Sequence, residues 1–502
     1  MPGRRGMRGA GGGARPGGFE PPARRFVVCP FPLERSPGLQ TLSTRDADFA
    51  ERWARLCARG SDEDEVQVRE AAARIVAEVR ARGDAALLEL TARFDGWQPA
   101  RAADLAAGPA EFAAAYRGLP PSGRRALSLA ARRIEAFHRR ERDAVVPRFR
   151  DALGAVLGQV SRPLARVGLY VPGGTARYPS SVLMTAVPAR VAGVREVIVT
   201  SPADRATGEV DAWTLAACHV AGVSRLYKVG GAQAVAAMAY GTATVPAVDK
   251  ICGPGNAYVA AAKRLVFGKV DIDMIAGPSE VLVVADAAAS PAEAASDLIA
   301  QAEHDVRAVS VLVASSAEVV RRTLAEVDRQ LADLPRREIA GRSLRERGAA
   351  VVTQGVAEAM RLADEFAPEH LVLLVRRAEA WVPRLSRAGA VFLGSRTPEA
   401  IGDYLAGPSH VLPTAGTARF ASPLSVATFR RRMSVLSMSP RALEALAPAV
   451  EALTAAEGLE GHARAVRVRL AARPAAAPRR GGRRAAGRRR RGARDPRSRA
   501  GR

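Results

Sequence analysis

The chain has 502 residues, of which 48% are hydrophobic and 25% charged, and its formal net charge is +24. That is enough apolar surface for several packed layers, so a globular, multidomain protein is expected and a small stapled scaffold is excluded. The four cysteines, Cys29, Cys57, Cys218 and Cys252, are widely spaced without a CxxC pair, which argues against a disulfide framework or a thiolate zinc site and fits a reducing cytoplasm.

The charge sits mainly in the tails. Residues 1–25 hold six Arg and one Glu, and residues 471–502 hold thirteen Arg and one Asp, which leaves +7 for the body. Both tails are rich in Gly, Ala, Pro and Arg, so disorder is expected there, with at most weak, salt-dependent attraction to nucleic acid. Arginine outnumbers lysine 71 to 4 along the whole chain, which points to a GC-rich coding sequence rather than a binding face. No apolar run approaches the roughly 20 residues that span a bilayer, and the start lacks the apolar middle of a secretion signal, so a soluble protein is expected.

From about Glu65 to Arg150 the chain reads helical, opening on EVQVREAAARIVAEVRARG with apolar residues at helical spacing. Short β-rich runs then alternate with Ala-rich helical ones: RVGLYVPGG, EVIVTSP, RLYKVGG, EVLVVAD, AVSVLVAS, AAVVTQG, HLVLLV and GAVFLG. This alternation predicts an α/β fold of parallel β/α units, with ligands at the carboxyl ends of strands. The double glycines after Val171 and Val229 hint at two related halves. Beyond about Leu424 the chain turns helical again in a piece too small to bury its own apolar stripe, so it is expected to pack on another domain or subunit.

Several stretches carry polar groups suited to chemistry. Ser290, Pro291 and Glu293 form a capping box that starts a helix running to about His304 and places Gln301 and His304 on one face, where they could hold a borderline metal. The plainer alternative is a solvent-facing pair at a fraying helix end. In DEFAPEHLVLL, Glu369 and His370 stand together where a helix-like segment meets an apolar run. TPEAIGDYLAGPSHVLPT starts a short helix at Thr397 and Pro398, carries Asp403, and breaks at Gly407 and Pro408 before His410, while EGLEGHARAV offers Glu457 and His462. The loops YVPGG, VGGAQ and CGPGN follow strands and could approach a phosphate or ribose with backbone N–H groups. None matches the dinucleotide fingerprint; the one G-x-G-x-x-A, Gly9 to Ala14, lies in the low-complexity start with no strand before it.

Taken together, LYVPGG, KVGGAQA, KICGPGNAYVAAAKR, DMIAGPSEVLVVAD, QAEHD, EFAPEHL, GDYLAGPSHVLPT and AAEGLEGHARAV resemble the histidinol dehydrogenase family across roughly residues 40–470. The resemblance implies two Rossmann-like parallel β/α domains with small helical N- and C-terminal segments used in dimerisation. It places a dimerisation segment at 26–65, a first domain at 66–169 with 279–424, a second, NAD-side domain at 170–278, and a helical piece at 425–470 that reaches the partner. The implied enzyme is a zinc-dependent homodimer that oxidises L-histidinol to L-histidine with NAD through a bound aldehyde. It would have one Zn²⁺ per subunit, held by Gln301, His304 and Asp403 with His462 of the partner subunit. Glu369 would activate water and His370 would serve as acid/base for the alcohol. Ser279, His410 and Glu457 would contact substrate together with the metal ligands and His370, and Tyr170, Gln233 and Asn256 would contact NAD.

The chemistry accords with that assignment. Oxidising an alcohol to an acid needs first a proton taken from the hydroxyl and then a proton taken from water, so two adjacent bases can act in turn on one carbon. An imidazole with an ordinary pKa of about 6.5 can accept and return a proton near neutrality, and a partly desolvated carboxylate beside Phe366 and Leu371 gains basicity. Two enzymatic rivals stand beside this reading: a dehydrogenase of the same family acting on another small alcohol, and covalent catalysis by Cys252 through a thiohemiacetal.

Overall fold

The computed structural model describes residues 38–59, 65–141, 144–173 and 177–471. The basic stretches at 1–25 and beyond 471, expected to be disordered, lie outside them. The described residues divide into two compact units: 38–59 with 278–399 and 414–419, and 65–277 with 400–413 and 420–471.

The first unit is built on a six-stranded, all-parallel sheet in the order Gln40–Ser43, Ala349–Val352, Val309–Ala314, Glu280–Ala285, His370–Leu374, Ala390–Leu393. Its central strands are mostly apolar, apart from Glu280, Ser310 and His370 at or near their starts, because helices cover both faces. In the strand Glu280–Ala285, Val281, Val283 and Ala285 pack into one apolar cluster with Leu298 and Leu324, while Leu282 and Val284 pack into another with Phe366 and Leu373. The twofold alternation of the strand thus feeds two cores at once.

The second unit holds another six-stranded sheet, ordered Ala106–Ala107, Arg225–Tyr227, Glu196–Thr200, Arg166–Tyr170, Lys250–Cys252, Asp271–Ile272, parallel except for its first pair. Numbered by chain order within each sheet, both run 1-4-3-2-5-6. The two halves hinted at by the double glycines are therefore visible as topology, although both of those glycine loops belong to the second sheet.

Several segments depart from the expected arrangement, among them 400–413 and 420–424, which were expected with 279–399 but fall in the second unit. Residues 66–169, which the resemblance grouped with 279–424, fall in the second unit, because Ala72, Ile75, Val76 and Val79 of the helix Glu65–Arg82 share a core with Val235 and Ala262. The 26–65 segment, expected to be helical, contributes the edge strand Gln40–Ser43 before its helix Phe49–Cys57. In the 425–470 piece, Arg430–Ser437 forms a strand antiparallel to Val156–Pro163, and the helices Pro440–Ala456 and Glu460–Ala471 come only after it. The RRRMSVLS run has no helical apolar stripe to bury, and it satisfies its backbone in the ladder instead.

Candidate active site

The helix Val356–Phe366 ends at Ala367, a non-glycine residue held at φ 50, whose N–H closes on Ala363 O at 3.1 Å. An alanine in the left-handed region costs roughly 1 kcal/mol or more, so the surroundings must impose the turn. With Pro368 next, the chain reverses sharply and delivers Glu369 and His370, both buried, at the amino end of the strand His370–Leu374.

Both side chains are tied to a single residue of the neighbouring strand. The Glu280 N–H donates to Glu369 Oε2 at 2.8 Å, and the Glu280 carbonyl accepts from His370 Nδ1 at 2.9 Å. Since a carbonyl can only accept, Nδ1 carries the proton, and the neutral ring keeps its lone pair on Nε2. Glu399 Oε1, on a buried carboxylate, lies 3.7 Å from that Nε2, and Glu369 Oε2 lies 3.7 Å from Nδ1. The imidazole is therefore flanked by two acids, an arrangement that offsets positive charge on the ring when Nε2 takes a proton.

The helix Pro291–Ala302 begins as expected, with Ser290 Oγ accepting from Glu293 N–H at 3.4 Å and Pro291 at its first position. It brings Gln301 to its last turn. Gln301 is 1% exposed, and among the described residues neither its amide oxygen nor its amide nitrogen has a hydrogen-bond partner. A buried amide without partners is rare in a native fold and marks a place for a group not made of this chain. His304 lies in the exposed turn that follows, since the helix ends at Ala302 rather than at His304. One turn before Gln301 stands Asp297, whose carboxyl burial pushes up to about 6 against the pull of the Glu399 N–H it accepts at 3.3 Å. Glu399 opens the short helix Glu399–Tyr404, on which Asp403 follows one turn later. Ser279, half-buried, immediately precedes the strand Glu280–Ala285.

The second unit holds the remaining candidates. Asp403 Oδ1 and His410 Nδ1 are 3.5 Å apart, and His410 Nε2 is 3.3 Å from Ser181 Oγ. Glu457 caps the helix Pro440–Ala456 and is exposed, as is His462 on the helix Glu460–Ala471. Tyr170 ends the strand Arg166–Tyr170, and its hydroxyl accepts from Gly231 N–H at 3.0 Å. Gln233 is buried in the first turn of the helix Gly231–Tyr240, and Asn256 caps Ala257–Val266 by accepting from Val259 N–H at 3.1 Å. The turn before Asn256 requires glycine: at Gly253, φ is +110 and a Cβ would lie 2.2 Å from Tyr170 O. Asp95, half-buried, accepts from Gly230 N–H at 3.0 Å; burial pushes its carboxyl up to about 6, against the lowering influence of Gly230 and Gln233.

The candidate residues of the two units stand at opposite ends of their strands. Tyr170, Gln233 and Asn256 all stand at the carboxyl edge of their sheet, beside helix N-termini whose N–H groups favour anions such as a pyrophosphate. Gln301, Glu369 and His370 stand at the amino edge of theirs, where helices Pro291–Ala302 and Val356–Phe366 end and their carbonyls favour a cation. Cys252, at the carboxyl end of the strand Lys250–Cys252, is fully buried, and burial pushes its thiol well above the ordinary value, which suits an apolar filler and not a nucleophile.

Sequence reasoning passed over Glu280, Glu399, Arg59 and Asp95. Only Glu280 left a signal, as an acid opening an otherwise apolar, fully buried strand. Among the described residues no helix is long and apolar enough to cross a membrane.

A family model described as histidinol dehydrogenase matches residues 58–470. The chain is 52% identical over 433 residues to a histidinol dehydrogenase of Cereibacter sphaeroides, covering 86% of this chain and 98% of that protein. It is 48% identical over 435 residues to one of Ralstonia nicotianae, again covering 86% and 98%. A crystal structure of histidinol dehydrogenase from Elizabethkingia anophelis is similar with a TM-score of 0.80 at 33% identity, covering 86% of this chain and 98% of that one.

Proposed function

The chain belongs to the histidinol dehydrogenase family, and from that premise we propose that it oxidises L-histidinol through a bound aldehyde to L-histidine, with Glu369 and His370 acting in turn on one carbon. It is an oxidoreductase of histidine biosynthesis in an NAD-dependent family, and we place it in the cytoplasm as a homodimer.

The observation that carries the mechanism is the clamp on the acid–base pair. His370 has Nδ1 committed to the Glu280 carbonyl, so Nε2 receives the hydroxyl proton of the substrate, and Glu399 beside it offsets the charge gained. Glu369, held by the Glu280 N–H, then takes a proton from water as the water oxygen adds to the aldehyde carbon. His370 returns its first proton to the aldehyde oxygen as the water adds, which completes the hydrate, and then accepts a hydroxyl proton of that hydrate in the second oxidation. Burial of both side chains limits their contact with bulk water.

The residues present fit a divalent metal. The Gln301 amide, whose oxygen and nitrogen have no hydrogen-bond partner among the described residues, would supply an oxygen ligand, and His304, Asp403 and His462 of the partner subunit would complete an N/O set suited to zinc. When bound, zinc would hold the imidazole and amine of the substrate, and NAD⁺ would accept the hydride. Ser279, His410 and Glu457 would bind substrate, and Tyr170, Gln233 and Asn256 would bind NAD at the carboxyl edge of the second sheet.

The test is NADH formed per histidinol consumed by purified protein, with zinc content measured on the same sample. Two equivalents per substrate support the proposal. No turnover of histidinol alongside turnover of another small alcohol would transfer the activity to that substrate.

A further inference from the structure

Resting on the assignment of Glu369 and His370 above, we propose that Arg59 and Glu280 are positioning residues, a buried ion pair that fixes the acid and the base of the reaction to one common mount. Glu280 uses its backbone N–H on Glu369 and its backbone carbonyl on His370. Where that residue sits therefore decides where both reacting groups sit.

Its side chain is held on every side. Arg59 Nε meets Glu280 Oε1 at 2.7 Å and Nη2 meets Oε2 at 2.8 Å, while Ala415 N–H donates to Oε1 at 2.9 Å. The side chains of Arg59 and Glu280 are 7% and 2% exposed. The same guanidinium donates from Nη2 to the Phe366 carbonyl at 2.9 Å and lies 3.4 Å over the Phe366 ring. Phe366 is the last residue of the helix whose left-handed exit at Ala367 delivers Glu369. Arg59 thus ties the start of the strand Glu280–Ala285 to the helix end that launches the pair, and its charge meets carbonyls that the helix leaves open.

A buried ion pair is weak evidence for stability, because well-packed apolar replacements of similar volume are often neutral or stabilising. A bidentate fork, in contrast, sets geometry well. The pair here is joined to the two groups whose placement the reaction needs, and a misplacement of about 1 Å can lower the rate by roughly 100-fold.

The experiment compares Arg59→Ala, Glu280→Gln and the double apolar replacement Arg59→Met with Glu280→Leu against the parent enzyme, loaded with zinc. For each, kcat and KM for histidinol, the oxidation of added histidinal, and the melting temperature are measured. We expect kcat to fall by roughly 100-fold with KM changed by less than about threefold. Histidinol and histidinal oxidation should fall by the same factor, and the double variant should show the loss while melting near the parent temperature. Parent kcat per folded site in the double variant would overturn the proposal, as would loss of only one oxidation. Glu369→Gln and His370→Gln are assayed alongside: if these turn over like the parent, the assignment of the pair falls and the mount with it, whereas if they are slow and the Arg59 and Glu280 variants are not, only the mount falls.

Discussion

Replacing Asp95 by Asn should stabilise the protein above neutrality and leave it nearly unchanged in acid. In the folded chain burial raises the Asp95 carboxyl from 3.8 to about 6. Because the folded value lies above the unfolded one, the native state binds more protons between these two pH values, and the parent loses stability as pH rises through that window. A rise of about two units at about 1.4 kcal/mol each amounts to roughly 3 kcal/mol at most, fully expressed above about pH 7 and absent below about pH 4. Asn retains an oxygen to accept from Gly230 N–H, the bond that Asp95 now makes at 3.0 Å, so the substitution removes the charge and little else. The assay is thermal unfolding of parent and Asp95→Asn protein across that range. The melting difference should grow from near zero in acid to several degrees at about pH 8 and then level off. A pH-independent difference, or a variant that melts below the parent at about pH 8, would refute the reasoning.

Gln301→Leu should act in opposite directions on metal and fold. Removing a buried amide without partners should raise the melting temperature of metal-free protein, while zinc retained after dialysis, read by elemental analysis, should fall as affinity drops by roughly 100-fold. Unchanged zinc content would remove Gln301 from the ligand set. Cys252→Ala should keep histidinol and histidinal oxidation within about twofold of the parent, since the thiol is buried and held protonated; selective loss of histidinal oxidation would restore the covalent rival.

What the sequence disclosed follows from the range of the interactions involved. The Ser290 cap, the helix break before His410 and the apolar strands are set within a few residues, and each was legible as local pattern. The adjacency of Glu369 and His370 could be read, but not the tautomer of the ring, because the carbonyl that sets it belongs to Glu280, 90 positions away. Arg59 and Glu280 meet across 221 positions, and neither residue has neighbours that announce the pairing. The short strand Gln40–Ser43 and the ribbon strand Arg430–Ser437 take their conformation from tertiary partners, which their own compositions do not name. The amino-edge placement of the pair also escaped the strand-end rule, which describes anion sites at helix N-termini and not cation sites at helix ends.

The most direct test of the account is a single turnover of Glu369→Gln protein, loaded with zinc and excess NAD⁺, on histidinol. If an imidazole begins the reaction and the neighbouring carboxylate is needed only once water must be deprotonated, each site should release one equivalent of NADH and stall with aldehyde bound. Two equivalents at the parent rate would contradict the division of labour assigned to these adjacent residues.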